Sequence, residues 1–273
     1  MKKIDLHVHT NFSDGLYSPK EVIDLAKEHD YGVIAITDHD NIGGYLHIRD
    51  YAKQVGIELI PGVEISTNHK GRDVHILAYD FDLDNLELKE LLQKIYDSRF
   101  ERAVKIIEKL NKRGIDISIE DVQNFAGENN YIGRPHIARA MIEGGYCAHK
   151  YEAFELHIGE HCYAYVPKFA PSSKKAIKTI HKANGISVLA HPYTLGDDRL
   201  IYDLIRYGLM GMEVFYAKCN DETIYHYNEI AQKNYLIRTG GSDFHGDGID
   251  LEIFGNYTAP DFILEEMNRG ENE

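Results

Sequence analysis

Ile4-Asp5-Leu6-His7-Val8-His9-Thr10, followed closely by Ser13-Asp14-Gly15, is the stretch from which the fold is read. His7 and His9 are two apart. In an extended strand, residues i and i+2 point to the same face. Two imidazoles on one face can hold one cation between them. Asp14 comes just after the expected strand end, where a loop can turn its carboxylate back toward the same point. The rest of the chain reads as a device for bringing more ligands to that spot.

The chain has 273 residues, of which 43% are hydrophobic and 27% charged, enough for a sizeable core in one large barrel-type domain or two smaller ones. Its longest apolar runs, such as Gly32-Val33-Ile34-Ala35-Ile36, are too short to span a membrane. No signal-peptide layout precedes the first strand, so a cytoplasmic location is expected. The three cysteines, Cys147, Cys162 and Cys219, are odd in number and far apart, which argues against a disulfide framework or a cysteine-rich zinc site. The net charge of −14 excludes duplex DNA binding through a basic face. The 15 histidines, set among many carboxylates, fit a site for several divalent cations.

Outward from the first strand, β and α patterns alternate. Ser18-Pro19-Lys20-Glu21 is a helix start with a capping box, and Val22, Ile23, Leu25 and Ala26 give that helix an apolar face to about His29. Gly32 to Thr37 reads as a buried parallel strand ending in Thr37-Asp38-His39-Asp40. A helix over Tyr45–Val55 follows, then a strand over Ile57–Ile60 running into Pro61-Gly62-Val63-Glu64, then one over Val74–Tyr79. Repeated βα units predict a mainly parallel sheet or barrel, with site residues at the C-terminal strand ends. From Leu86 the pattern becomes helical: a long helix to Arg113, then shorter ones from Ser118, Arg134 and Lys150. Residues 86–165 are read as a helical insertion, leaving 1–85 and 166–273 as the barrel. Alternation then resumes. Strands at Gly185–Ala190, Gly211–Val214 and Leu236–Thr239 are separated by helices, and a last helix over about Asp261–Asn268 packs outside.

A lone histidine at a strand end is ordinarily a loop residue. Here the coincidence is joint. His9, His39, Glu64, His75, His191, and the pair Asp243 and His245 fall at or near successive strand ends. Histidine and carboxylate donors without thiolates suit Mn²⁺, Fe²⁺ or Zn²⁺ rather than Ca²⁺. They are too many for one ion, so two or three ions sharing a bridging carboxylate are expected, with Glu64 as the bridge. The remaining histidines, His29, His47, His69, His149, His157, His161, His181 and His226, lack partners at ligand spacing and read as mostly solvent-facing.

Asp5-Leu6-His7-Val8-His9-Thr10, Ser13-Asp14-Gly15, Thr37-Asp38-His39-Asp40, Pro61-Gly62-Val63-Glu64-Ile65-Ser66, Ala190-His191-Pro192 and Gly241-Ser242-Asp243-Phe244-His245 resemble, in order, the motifs of the polymerase and histidinol phosphatase (PHP) phosphoesterases. The resemblance implies a distorted (β/α)₇ barrel with a trinuclear metal site, Mn²⁺ foremost. It implies His7, His9, Glu64 and Asp243 on one ion, Asp14, His39 and His245 on a second, and Glu64, His75 and His191 on a third. Size and insertion resemble the stand-alone subgroup acting on nucleoside 3′,5′-bisphosphates and on the 5′ end of short single-stranded RNA, where the insertion caps the mouth. Gly133-Arg134-Pro135-His136 and Val166-Pro167-Lys168 resemble its substrate-binding elements. Arg134 then binds phosphate as a bidentate fork and Lys168 as a point charge. His136 contacts phosphate or protonates the leaving group, and Tyr193 stacks on a base.

The implied reaction is hydrolysis of nucleotide phosphate esters by a metal-activated hydroxide. Histidinol-phosphate phosphatase is the same chemistry on another substrate. An amidohydrolase would attack carbon and commonly uses a carboxylated lysine, but no lysine here ends a core strand. Metals serving only as structural staples form the non-enzymatic alternative. Oligomeric state has no sequence signal.

Overall fold

The computed structural model describes residues 2–126 and 131–270. Seven strands carry it: β1 (Lys3–Val8), β2 (Tyr31–Ile36), β3 (Glu58–His69), β4 (Arg72–Tyr79), β5 (Ile186–Leu189), β6 (Gly211–Tyr216) and β7 (Ile237–Gly241). They hydrogen-bond in chain order. The two edges then meet. The Asp243 N–H donates to the His7 carbonyl at 2.9 Å, and the His9 N–H to the Phe244 carbonyl at 2.8 Å. The sheet is thereby a distorted α/β barrel without a free edge at this seam.

One strand breaks the expected parallel order. β4 runs antiparallel to both β3 and β5, while the other paired neighbours are parallel. β3 is also longer than the sequence predicts. Glu58–Pro61 pairs with β2, and Gly62–His69 pairs with β4. Pro61-Gly62 therefore marks a change of partner rather than a strand end. A side chain at Gly62 would meet the Ile36 carbonyl at 2.9 Å, so only glycine lets β3 pass β2 there. As a result Glu64 lies inside a strand. His75 reaches the site from the N-terminal half of the reversed β4.

Ser18 starts α1 (Pro19–Glu28). Its hydroxyl accepts the Glu21 N–H at 3.3 Å while Glu21 accepts the Ser18 N–H at 2.7 Å. Buried Val22, Ile23 and Ala26 of α1 pack on Ile34 and Ile36, and each fully buried aliphatic chain stabilises by about 1.5–3 kcal/mol. α2 (Gly43–Val55) ends at Gly56, whose φ of 82° is open to glycine. α3 (Leu86–Asn111) is capped by Asn85. Its first half, Leu88 to Ile95, joins a barrel cluster. Its second half, Ala103 to Leu110, joins a separate cluster with α4 (Ile119–Gln123), α5 (Arg134–Glu143) and α6 (Lys150–Ala153), which runs into a π-helical turn over Phe154–Ile158. The change from one core to the other falls inside a continuous helix.

Beyond the π-helical turn, α7 (Ser173–Lys182), α8 (Arg199–Arg206), α9 (Asp221–Lys233) and α10 (Asp250–Asn256) follow. α11 (Phe262–Gly270) packs on the sheet, with Ile263 and Met267 beside Ile4, Leu6 and Tyr79. Among the described residues no helix is long and apolar enough to cross a membrane.

Candidate metal centre

The strand ends converge on Glu64, which is fully buried. His7 Nε2 and His9 Nε2 lie 3.1 Å apart. Glu64 Oε2 is 3.4 Å from the first and 3.3 Å from the second, and Asp243 Oδ1 is 3.4 and 3.2 Å from them. The other Glu64 oxygen, Oε1, is 2.9 Å from His75 Nδ1 and 3.0 Å from His191 Nε2. Asp14 Oδ1 faces His245 Nε2 at 3.3 Å and His39 Nε2 at 4.0 Å. All nine ligand candidates from the sequence thus lie around one carboxylate.

Three sets have donor atoms mutually within 4.8 Å: His7, His9, Glu64 and Asp243; His9, Asp14, His39 and His245; and His39, Glu64 and His75. The first is the set the resemblance implies. The second gains His9. In the third His39 takes the place expected for His191, which contacts Glu64 instead. Asp243, His191 and Asp40 have positive φ of 54°, 28° and 55°. Such backbone strain concentrates where a side chain must be aimed.

The donor set and its unmet polar atoms fit divalent cations. Glu64 Oε2, Asp14 Oδ1, His39 Nδ1 and His75 Nε2 are buried and make no hydrogen bond among the described residues. Glu64 Oε2 and His39 Nδ1 are only 2.9 Å apart, yet the contact lacks hydrogen-bond geometry. Leaving four such atoms unpaired is costly without a common partner. Burial pushes the Glu64 carboxyl up, but His39, His75 and His7 overcome it and hold it well below the usual range. His39 and His245 do the same for Asp14 against its burial, and His7 and His245 for Asp243. The carboxylates are charged and ready to ligate.

A second layer orients the ligands, and the sequence reading missed its main member. Glu213, on β6, is 1% exposed. Its Oε1 accepts from His7 Nδ1 at 2.9 Å and its Oε2 from the His191 backbone N–H at 2.7 Å. In the neutral imidazole the first bond places the proton on His7 Nδ1 and leaves the Nε2 lone pair facing the cluster. A register shift between Glu213 and Phe215 is a β-bulge. It turns Tyr216 inward as well, and the Tyr216 hydroxyl donates to Asp243 Oδ2 at 3.0 Å. Strand β6 thus supplies supports where its neighbours supply ligands. Neither residue sits in a recognisable motif, and the bulge has no local signal. Asp38 holds the loop after β1, accepting from the Thr10 N–H at 2.7 Å and the Ser13 hydroxyl at 2.6 Å. Burial pushes the Asp38 carboxyl up to about 6.

The substrate-binding candidates sit at the rim. Arg134 opens α5 with its guanidinium 5.3 Å from the Phe154 ring and 5.7 Å from the Tyr165 ring. His136 is buried, and its Nδ1 accepts the Gly133 N–H at 3.0 Å, so the proton resides on Nε2. Burial pushes His136 down to about 4. Lys168 Nζ is 2.8 Å from Asp73 Oδ1, itself 3.5 Å from His75 Nε2. Tyr193 is 41% exposed, its ring 5.2 Å from that of Tyr216. Two cations escaped the sequence reading. Arg99 is buried and pairs with Asp40. Arg102 donates to the Val166 carbonyl, and burial with Arg134 and Arg99 nearby pushes it down to about 10. His69 departs from its solvent-facing reading: it is buried, 3.2 Å from Asp203.

Comparison with known proteins agrees with this geometry. The PHP domain family profile matches residues 5–186. A 5′-3′ exoribonuclease of Haemophilus influenzae is 36% identical over 268 residues, covering 96% of this chain and 97% of that protein. A 3′,5′-nucleoside bisphosphate phosphatase of Chromobacterium violaceum is 31% identical over 253 residues, covering 91% and 89%. A crystal structure from Bifidobacterium adolescentis, described as a metal-dependent phosphoesterase, superposes with a TM-score of 0.88 at 28% identity, covering 98% of this chain and 96% of that one. With motifs, strand order and relatives in accord, the chain belongs to the PHP domain family.

Proposed function

We propose that this chain is a divalent-metal-dependent phosphoesterase that hydrolyses phosphate esters of nucleotides, as a nucleoside 3′,5′-bisphosphate phosphatase, a 5′-3′ exoribonuclease on short RNA, or both. The observation that carries the reading is the convergence of six histidines and three carboxylates on Glu64 with buried atoms left unpaired. The relatives named above supply the substrate class. In this reading His7, His9, Asp14, His39, Glu64, His75, His191, Asp243 and His245 hold two or three ions, with Mn²⁺ first and Fe²⁺ or Zn²⁺ sharing the same donors. Divalent ions in such a site supply Lewis acidity and a water-derived nucleophile near neutral pH.

The chain's own residues do the rest. The second half of α3, with α4, α5 and α6, caps the barrel mouth, and Arg139 ties this cap to the site by donating to the Asp14 carbonyl at 3.3 Å. Arg134 offers a fork and Lys168 a point charge to phosphate oxygens. His136 is neutral at physiological pH and presents its Nε2–H as a donor to phosphate rather than as an imidazolium acid. Tyr193 offers an exposed ring to a base. Phosphate release from a nucleoside 3′,5′-bisphosphate with added Mn²⁺ tests the reading. His9→Ala and Asp243→Asn are expected to abolish it, and full turnover by the metal-stripped double variant would sink it.

A further inference from the structure

Helix α3 carries a row of cations leading away from the metal centre. Arg102 and Lys109, seven residues apart, share one face of α3, about 10 Å apart at 1.5 Å per residue, and Arg113 follows in the turn just past the helix end at Asn111. The row begins beside the site, because Arg99, one turn earlier, pairs with Asp40 next to His39.

The segment from Tyr163 to Val166 lies along this row, running opposite to the helix. Arg102 Nε donates to the Val166 carbonyl at 2.7 Å, and Lys109 Nζ to the Tyr165 carbonyl at 2.6 Å. Farther out the Arg113 guanidinium lies 5.3 Å from the Tyr163 ring. Arg102 and Arg134 flank the Tyr165 ring at 5.9 and 5.7 Å. Cations and aromatic rings thus alternate along a single trough. Among the described residues Arg99 and Lys168 have carboxylate partners, whereas Arg102, Lys109, Arg113 and Arg134 have none within 4.0 Å. In a chain of net charge −14, four such cations in one place call for an outside anion.

Tethering explains Lys109 and part of Arg102. It does not explain the outer end. Arg113 is exposed and its guanidinium makes no hydrogen bond among the described residues, and Tyr163 is 36% exposed with its hydroxyl held by His157 at 3.1 Å. An exposed ring fixed at its polar end and bordered by a guanidinium is a stacking platform.

We infer that this face of α3 and the Tyr163–Val166 segment form a track for single-stranded nucleic acid, carrying the nucleotides beyond the one held at the metal centre. Backbone phosphates lie on the exposed Arg113 and the half-buried Arg134, a base stacks on Tyr163, and the buried Arg102 holds the segment in place. A duplex hides its base faces, so the aromatic half of the track selects single strands. The direction of the track rests on the phosphoesterase reading; its existence does not.

The test is fluorescence anisotropy with the intact Mn²⁺-loaded chain and phosphorothioate-protected, 5′-phosphorylated RNA of increasing length. A mononucleotide serves as internal reference. The wild type is expected to bind longer RNA more tightly, with a steep loss at higher salt. Arg113→Ala and Tyr163→Ala are each expected to lose about three- to tenfold for oligomers relative to the mononucleotide, while Tyr163→Phe keeps wild-type affinity. The exposed Arg113 side chain touches only the rim of the Tyr163 ring, so that variant remains a valid probe if the Tyr163 variant is unstable. Affinity independent of length in the wild type, or equal losses for mononucleotide and oligomer, overturns the track. Phosphate release from a nucleoside 3′,5′-bisphosphate is read in parallel. Its absence with length-dependent binding intact would remove the phosphoesterase reading and leave the track standing.

Discussion

Glu213 shows how a candidate metal centre depends on residues outside its ligand set. Its two oxygens accept from His7 Nδ1 and from the His191 N–H, so one buried carboxylate sets ligands from β1 and from the turn after β5. Glu213→Gln keeps the shape but replaces one acceptor by an amide donor. If that donor faces the His191 N–H, two donors collide. If it faces His7, the imidazole must move its proton to Nε2 and loses the lone pair that points at the cluster. Either way metal affinity is expected to fall about 10–100-fold, with the fold intact. Titration calorimetry with Mn²⁺ checks this, and an unchanged affinity would show that His7 is oriented by packing alone. His136 gives a pH prediction at the same scale. Its folded-state pKa is pushed from 6.5 down to about 4, so the unfolded chain binds the proton more tightly. Stability from this group is present above pH 6.5 and is lost as pH falls toward 4, by on the order of 3 kcal/mol if the full shift is expressed. His136→Gln retains an acceptor for the Gly133 N–H and does not titrate. Its urea-unfolding stability is expected to decline less than the wild type's between pH 6.5 and 4; parallel declines would mean that His136 is not neutral in the fold.

At the level of elements, local chemistry and long-range pairing divided the information. Helix α1 was readable to its capping box because Ser18, Pro19 and Glu21 act on adjacent backbone groups. Strand β2 was readable because all six of its residues are buried. β3 and β4 were not. The direction of β4 depends on which neighbours it meets, and Pro61-Gly62 mimics a strand end while serving as a change of partner. The inward turn of Tyr216 was equally hidden, since a bulge exists only relative to a paired strand. The seam between β1 and β7 supplies a prediction here. A side chain on Gly241 would place its Cβ 2.2 Å from His7 Cβ and 2.8 Å from the His7 nitrogen. Neither is the loose end of a flexible chain, so the seam must open. Gly241→Ala is expected to cost about 1–3 kcal/mol or more, read as a lower urea midpoint, together with weaker Mn²⁺ binding because His7 is displaced. A variant with wild-type midpoint and affinity would show that the seam is slack.

For the whole molecule, the ligand set and the barrel closure are one structure. His7 and His9 come from one side of the seam, Asp243 and His245 from the other, and Glu64 joins both to the reversed β4 through His75. The nine ligand candidates were picked out because they fall in short, ordered motifs, even where, as for Glu64 and His75, the residue lies within a strand rather than at its end. The sharing of Glu64 was expected from the sequence, but that of His9 and His39, each of which falls in two sets, shows only in the assembled distances. Arg102 escaped notice because nothing in its own sequence window distinguishes it from a surface helix residue. The consequence is energetic. Without cations, three carboxylates and six imidazoles are packed at the seam, with Glu64 and His39 atoms unpaired. Ions that bind only the folded chain stabilise it by mass action, about 2.7 kcal/mol at a hundredfold excess over Kd for one site. For a domain of this size that corresponds to about 5–10 °C in Tm. Mn²⁺ added to chelator-treated protein is therefore expected to raise Tm by at least that amount, with further gain as additional sites fill. Asp243→Asn removes a ligand from one set and touches the seam, so its Tm is expected to respond less to Mn²⁺. Lys20→Ala, in an exposed pair with Asp24, is expected to respond like the wild type. Scanning calorimetry across a Mn²⁺ series separates the cases. A Tm indifferent to Mn²⁺ in the wild type would mean that the barrel closes on its hydrogen bonds alone and that the histidine cluster is not where cations act.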